Sequence, residues 1–344
     1  MRHPPMQAGW RDCPHQRFTP GDFRLESGEL IRDFELSYVV HGQLDPGATN
    51  VVLALPAIAS SHHRLDFLIG EQRALDPTRH AVIAVDAIGN GLATSPSNSR
   101  RQAGMAFPRF TIRDMVESQR ALLDHLGVVQ LEAVIGASMG GMQALQWGVS
   151  HPQRMRRIVA MTPMARTVAW SAAVNEASRR ALMAAPDWQT GPDQVWAAWV
   201  PLMQLLASRT PSQLEREFAS AAAVQSWISA RTEAWASQGF APVDWVYQSW
   251  AYDAHDVGST PGFGGDTVRA LGAIEVRTLV LAPPLDLYNP VEAAQWAAAH
   301  IRHSRFVEIP SDWGHQSASA ADGESAAWLN REIREFLEVS QPRA

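Results

Sequence analysis

A chain of 344 residues with 46% hydrophobic and 19% charged residues has the balance of a folded globular protein, away from the polar, highly charged balance of disorder. Its net charge of −6, from 29 basic and 35 acidic residues, leaves no basic footprint for nucleic acid or for an anionic membrane surface. Cys13 is the single cysteine, which excludes an intramolecular disulfide and a zinc site built from several thiolates; a cytoplasmic location is the expectation.

In chain order, residues 1–16 are broken by prolines and charges, hold no apolar run of signal-peptide type, and read as an arm draped over the surface. No later window approaches about 18 uninterrupted apolar residues, so no membrane-spanning helix is expected. Apolar, β-rich runs at 34–42, 50–58, 80–89 and 131–139 read as strands. The second and third lack polar alternation, as expected of parallel strands covered on both faces by crossover helices. Between the third and fourth runs, residues 111–127 place Ile112, Met115, Val116, Gln119, Leu122, Leu123 and Leu126 at helical spacing, and Gly127 supplies a stop. A strand at 157–163 is followed by helical patterns without a clear strand, and β runs resume at 277–284 and 305–310. The expected organisation is therefore an α/β core over 1–163 and 273–344, with a mostly parallel sheet, and an inserted helical cap over 164–272. Most of the 13 tryptophans fall between residues 147 and 250, a second sign of that separate unit. The turn-rich stretch 258–266 is where the cap returns to the core.

Gly136-Ala137-Ser138-Met139-Gly140 is a G-x-S-x-G pattern between a strand and a helix. Small residues beside the serine permit the sharp turn that exposes its hydroxyl, and the following helix aims its first amides at the reaction centre. A structural alternative for the motif alone is a glycine-rich turn capping a helix. A serine hydroxyl becomes a useful nucleophile only beside an imidazole that takes its proton, and a carboxylate must fix that ring's tautomer. In the α/β-hydrolase fold these follow in the order Ser, acid, His, on loops after late strands. Asp286 and His315 occupy such loops, with Asp312 or Asp256 as other candidates for the acid and His300 or His303 for the base. The Met139 amide is one expected oxyanion donor, and the loop after the second apolar strand, at Ala57 or Ile58, supplies the other. The adjacent His62 and His63 read as loop-capping residues, because neighbouring side chains diverge and no acidic or Cys partner stands at ligand spacing; no metal site is expected.

The segment Gly136–Trp147, the helix entry 107–116, the loop 285–290 and the stretches 175–179 and 253–258 resemble the homoserine O-acetyltransferase family of α/β-hydrolases, over roughly residues 30–335. The resemblance implies an acyl-serine intermediate, a helical lid over a tunnel and a homodimer formed through the cap. It also matches Arg179 to an arginine that binds the carboxylate of an amino-acid acceptor, a task a guanidinium fork suits; a solvated helix arginine is the plainer reading. Asp253, His255 and Asp256 match cap positions without a catalytic role. Two departures matter. Transferases of the family usually carry Asp after the catalytic histidine, where this chain has Gln316, and their glycine-cysteine segment is replaced at 89–98. Gln316, a substrate-facing position, cannot neutralise a substrate ammonium, and an unpaired ammonium in a closed site is costly.

The expected activity is hydrolysis of short-chain, acetyl-type carboxylic esters, with O-acetyl transfer from acetyl-CoA to a small alcohol such as homoserine or serine as the second reading. No cofactor is expected, acetyl-CoA being a co-substrate in the second case. Rivals are weaker: a non-catalytic binder fits poorly with the Ser, Asp and His all present, a metal hydrolase lacks H-E-x-x-H, and Gly89-Asn90-Gly91 does not open a phosphate-binding helix.

Overall fold

The computed structural model describes residues 3–190 and 193–338. Eight strands form one sheet in the order β1-β2-β4-β3-β5-β6-β7-β8: β1 Gln16–Arg24, β2 Leu30–His41, β3 Val51–Leu55, β4 Ala81–Val85, β5 Ala133–Ala137, β6 Arg157–Met161, β7 Arg277–Ala282 and β8 Ser304–Glu308. β1 and β2 pair antiparallel and β2 meets β4 antiparallel, whereas β4, β3, β5, β6, β7 and β8 run parallel. Every residue of β3, β4, β5 and β6 is buried, which is why their sequences show no polar alternation. Successive side chains point to opposite faces. Leu53, Ile83, Val134 and Ile158 pack on one core, and Val52, Val82, Ile135 and Val159 on the other.

The first core is roofed by α1 (Ile112–His125) and α2 (Met139–Ser150). Thr111 caps α1 through a reciprocal box with Asp114, its side chain accepting from the Asp114 amide while the Asp114 carboxylate accepts from Thr111 N at 2.8 Å, an arrangement that contributes about 1 kcal/mol. Among the described residues the segment between β6 and β7, here called the cap, holds six α-helices: α3 Ala169–Met183, α4 Asp193–Met203, α5 Pro211–Glu217, α6 Ala221–Ala236, α7 Pro242–Asp253 and α8 Thr267–Gly272. Trp196, Trp199, Trp235 and Trp245 pack around one another there, with Trp199 ring centroids 5.3, 4.9 and 5.3 Å from the other three. After β7 come α9 (Val291–Ala299) and, covering the second core with Leu329, Ile333 and Phe336, α10 (Gly323–Glu338). No helix among the described residues is long and apolar enough to cross a membrane.

The structure adds a strand that the sequence reading lacks. β1 starts where the expected arm ends, and β2 begins four residues before the expected 34. In β1 only Phe18 is buried, and the ladder to β2 shifts register on both sides of Gly21. An edge strand with solvent on both sides has no apolar periodicity to betray it.

Candidate active site

β5 ends in a turn where Ser138 adopts φ 58° and ψ −123°, a backbone state that costs a non-glycine residue about 1–3 kcal/mol. It is held there by its own amide, which donates to Met161 O at 2.9 Å and Thr162 Oγ1 at 3.1 Å. The glycine spacing has a steric cause. A Cβ on Gly136 would lie 2.1 Å from the Gly140 carbonyl oxygen, and one on Gly140 would lie 2.7 Å from the Leu55 carbonyl oxygen. The chain thus crosses itself at the turn and packs against the end of β3, leaving room for no side chain at either place.

Ser138 is 1% exposed and sits opposite His315, which lies on a 3-10 turn, Gly314–Ala318, after β8. Ser138 Oγ and His315 Nε2 are 2.8 Å apart, and His315 Nδ1 is 2.8 Å from Asp286 Oδ2. The other Asp286 oxygen accepts from the amides of Tyr288 at 2.8 Å and Asn289 at 2.9 Å, which fixes the carboxylate without a cation and keeps its charge aimed at the imidazole. The Tyr288 ring stands edge-on to His315 at 5.1 Å and 78°. Such an arrangement stores the histidine proton on Nδ1 and leaves Nε2 free to take the serine proton.

The other candidates stand elsewhere. Asp312 pairs with Arg216, and Asp256 caps the turn at Val257–Ser259, accepting from Gly258 N at 2.7 Å. His300 Nδ1 is bonded to Trp296 O at the end of α9, and His303 precedes β8, its carbonyl accepting from Thr278 N.

On the oxyanion side, Met139 opens α2, and the loop carrying Ala57 and Ile58 abuts that helix start, with Gln143 Nε2 donating to Pro56 O at 3.0 Å. Among the described residues no acceptor takes the amides of Met139, Ala57 or Ile58. Gln248 of α7 latches this loop to the one after β4: its Oε1 accepts from Ala59 N at 2.9 Å and its Nε2 donates to Ile88 O at 3.3 Å.

Arg179 is buried, and its fork is occupied. One arm meets Asp253 Oδ2 at 2.7 Å and Ser249 Oγ at 3.1 Å; Nε and the other arm meet Glu176 at 3.2 and 3.0 Å. Asp253 also accepts from Asn175 Nδ2 at 2.7 Å, and Asn175 Oδ1 accepts from the Tyr288 hydroxyl at 2.5 Å. Burial pushes the Asp253 carboxyl up, against the pull of Asn175 and Arg179. Arg179 therefore reaches the triad region through Asp253, Asn175 and Tyr288. The Gln316 side-chain oxygen is turned back on Ser319 Oγ at 3.2 Å. His255 is buried against Met164 O at 3.2 Å, and burial pushes it down to about 4, so it stays neutral.

Tyr252 was not singled out in the sequence. Its buried hydroxyl donates to Asn289 Oδ1 at 2.5 Å, and its ring stacks on that of Tyr288 at 5.4 Å, on the Ser138 side of the cap. Its only sequence signal was an aromatic residue directly before Asp253. The His62–His63 expectation needs correction. The two rings do not diverge but lie 4.1 Å apart, and acidic partners are present: His63 Nδ1 is 2.7 Å from Asp66 Oδ2 and His62 Nδ1 is 3.1 Å from Asp86 Oδ2. Asp66 lies only three residues beyond His63, and Asp86 comes from the end of β4.

A family model for the alpha/beta hydrolase fold matches residues 50–318. A homoserine O-acetyltransferase of Nostoc punctiforme is 30% identical over 86% of this chain and 89% of its own length. That of Moorella thermoacetica is 29% identical over 95% of each. Among solved structures, the acetyl esterase MekB superposes with a TM-score of 0.88 at 26% identity, covering 95% of this chain and 97% of its own. A homoserine O-acetyltransferase from Bacillus anthracis superposes at 0.84 with 21% identity over 96% of this chain and 99% of its own, a likeness of fold.

Proposed function

Since the chain belongs to the homoserine O-acetyltransferase family of α/β-hydrolases, we propose that this enzyme moves a short acyl group through Ser138, with His315 as base and Asp286 as the group that orients it, and that its main acceptor is water. His315 takes the Ser138 proton as Oγ attacks the ester carbonyl, and passes it to the leaving alcohol when the tetrahedral intermediate collapses to an acyl-serine. It then takes a proton from water, whose oxygen attacks the acyl carbon, and returns that proton to Ser138 as the acid leaves. The amides of Met139 and of Ala57 or Ile58 would receive the oxyanion.

The observation that carries acyl transfer is the unbroken relay from Ser138 to Asp286, with both contacts at 2.8 Å. Water is favoured as acceptor because Arg179, the group suited to an amino-acid carboxylate, is committed to Asp253 and Glu176, and Gln316, which carries no charge to meet an ammonium, is turned to Ser319. The names of the curated relatives weigh towards the second reading, O-acetyl transfer from acetyl-CoA to homoserine or serine, more than towards the first. Arg179 and Gln316 would then touch the acceptor after exchanging their present partners. A homodimer through the cap fits either reading, since no residue of α6 is fully buried; its test is the molar mass in solution.

The deciding experiment loads the enzyme with p-nitrophenyl acetate and compares acyl release in buffer with release in homoserine, serine or simple alcohols, with Ser138→Ala as blank. Fast release that no acceptor changes establishes the esterase. Slow release that one alcohol accelerates many-fold, with its O-acetyl product detected, establishes the transferase.

A further inference from the structure

We propose that His3, His62 and His63 bind a divalent cation of the zinc class, which ties the N-terminal arm to the loop that follows β3. One ring nitrogen of each residue lies within 4.8 Å of the others, and the hydrogen bonds around the rings say which nitrogens are free. His3 Nδ1 is 2.6 Å from the Pro4 carbonyl oxygen, His63 Nδ1 is 2.7 Å from Asp66 Oδ2, and His62 Nδ1 is 3.2 and 3.1 Å from the two Asp86 oxygens. All three partners accept and none donates, so each ring carries its proton on Nδ1 and leaves Nε2 as a bare lone pair.

His3 Nε2 and His63 Nε2 nevertheless face each other at 2.9 Å. Two lone pairs at that distance repel; a cation between them, or a second proton on one ring, removes the repulsion. The surroundings favour the cation. Zinc–nitrogen bonds of about 2.0–2.1 Å at tetrahedral angles separate ligand nitrogens by about 3.3 Å and imidazole centroids by about 5 Å. The centroids here lie 5.5 Å (His3 to His62), 5.0 Å (His3 to His63) and 4.1 Å (His62 to His63) apart, so the His3 pairs already match, and His62 and His63 must swing apart by about 1 Å to complete the geometry. Carboxylate or carbonyl acceptors on the far nitrogen are the usual outer partners of metal-binding histidines. They are firmly placed here. Asp86, 0% exposed, also accepts from His62 N and Asn90 Nδ2, each at 2.9 Å, and Asp66, 1% exposed, accepts from Arg11 N at 2.7 Å. Trp10 stacks on His63 at 4.2 Å and 10°, and the His15 ring stands 4.5 Å from that of His62 and 5.0 Å from that of His3. An all-imidazole set selects zinc, nickel, cobalt or copper over magnesium or calcium.

The role is structural. The same Asn90 Nδ2 that binds Asp86 also donates to Ser60 O at 3.1 Å, so a cation here would brace the loop bearing Ala57 and Ile58 from behind, without touching Ser138.

The test uses tag-free full-length chain stripped with a chelator and titrated with Zn²⁺ against a chromophoric competitor. The expected result is one site per chain, a higher Tm with Zn²⁺, and affinity lowered at least 100-fold in both His63→Ala and His3→Ala, with His303→Ala unchanged. Thermal melts of the stripped variants show which are folded, and His3→Ala, on the arm, serves if His63→Ala is not. Absence of saturable Zn²⁺ binding, or binding that survives loss of His3 in a folded chain, overturns the proposal and leaves a shared proton as the link between the rings.

Discussion

The sheet and the cap hold the same reaction centre by opposite means. At the ends of β3, β5 and β6 the fit is made by backbone: Gly136 and Gly140 allow carbonyls to approach where a methyl group would collide, and Ser138 is kept in a strained conformation by Met161 and Thr162. The cap instead reaches the centre through a few polar side chains, namely Gln248 on the two loops, Tyr252 near Ser138 and the Arg179–Asp253–Asn175–Tyr288 line. No residue of α6 is fully buried, and Trp235 joins the tryptophan cluster only half-buried. The difference teaches that chemistry here rests on parts that tolerate no substitution, whereas access and acceptor choice rest on parts that can be exchanged one hydrogen bond at a time.

Variants that break the core side carry the largest effects. Ser138→Ala should lower kcat for an acetyl ester by roughly 10⁶-fold with its fold intact, as read by steady-state kinetics and circular dichroism. Asp286→Asn should cost about 10⁴-fold, because Asn would hold the ring in the wrong tautomer. On the cap side, Arg179→Met leaves Asp253 without its cation and should cost about 2 kcal/mol in urea unfolding, while kcat for ester hydrolysis stays within about threefold; a loss confined to an amino-acid acceptor would instead mark the transferase. Tyr252→Phe should lower kcat about tenfold, the worth of one buried hydrogen bond near the nucleophile.

A further effect is read as a slope in pH. Asp244 of α7 is buried and accepts from Ser97 N at 2.9 Å and Ser97 Oγ at 2.5 Å, and burial pushes its carboxyl up to about 7 from the ordinary 3.8. Between those values the folded chain keeps a proton that the unfolded chain has released, so this group makes stability fall as pH rises from about 4 to about 7, by at most about 1.4 kcal/mol per unit. Asp244→Asn should remove that component from Tm-versus-pH curves. An unchanged slope would mean that Asp244 is not the group that holds a proton in the folded chain over this range.

Legibility in the sequence follows the same division. β3 to β6 were readable because burial on both faces demands unbroken apolar runs, and the G-x-S-x-G spacing because a tight chain crossing demands glycine. Asp286 and His315 were found by their order on strand-end loops, and the structure brings both to Ser138. The contacts made by Tyr252, Arg179 and Asp253 were hidden, since they join α3, α7 and the loop after β7 by single side chains with no local periodicity. The histidine cluster was hidden for a related reason: His3 and His15 arrive from an arm that carries no pattern of its own.

The partners of the nucleophile lie far along the chain, with His315 separated from Ser138 by 177 residues and from Asp286 by 29. At a synthesis rate of about 5–20 residues per second, about 10–35 seconds pass between the making of the serine and the making of its base. A growing chain thus carries its elbow through that interval with a hydroxyl that has no base beside it. On the proposed roles, Ser138 gains its base only once the loop after β8 has been made, so a chain cut short before Gly314 would hold the serine without its partner.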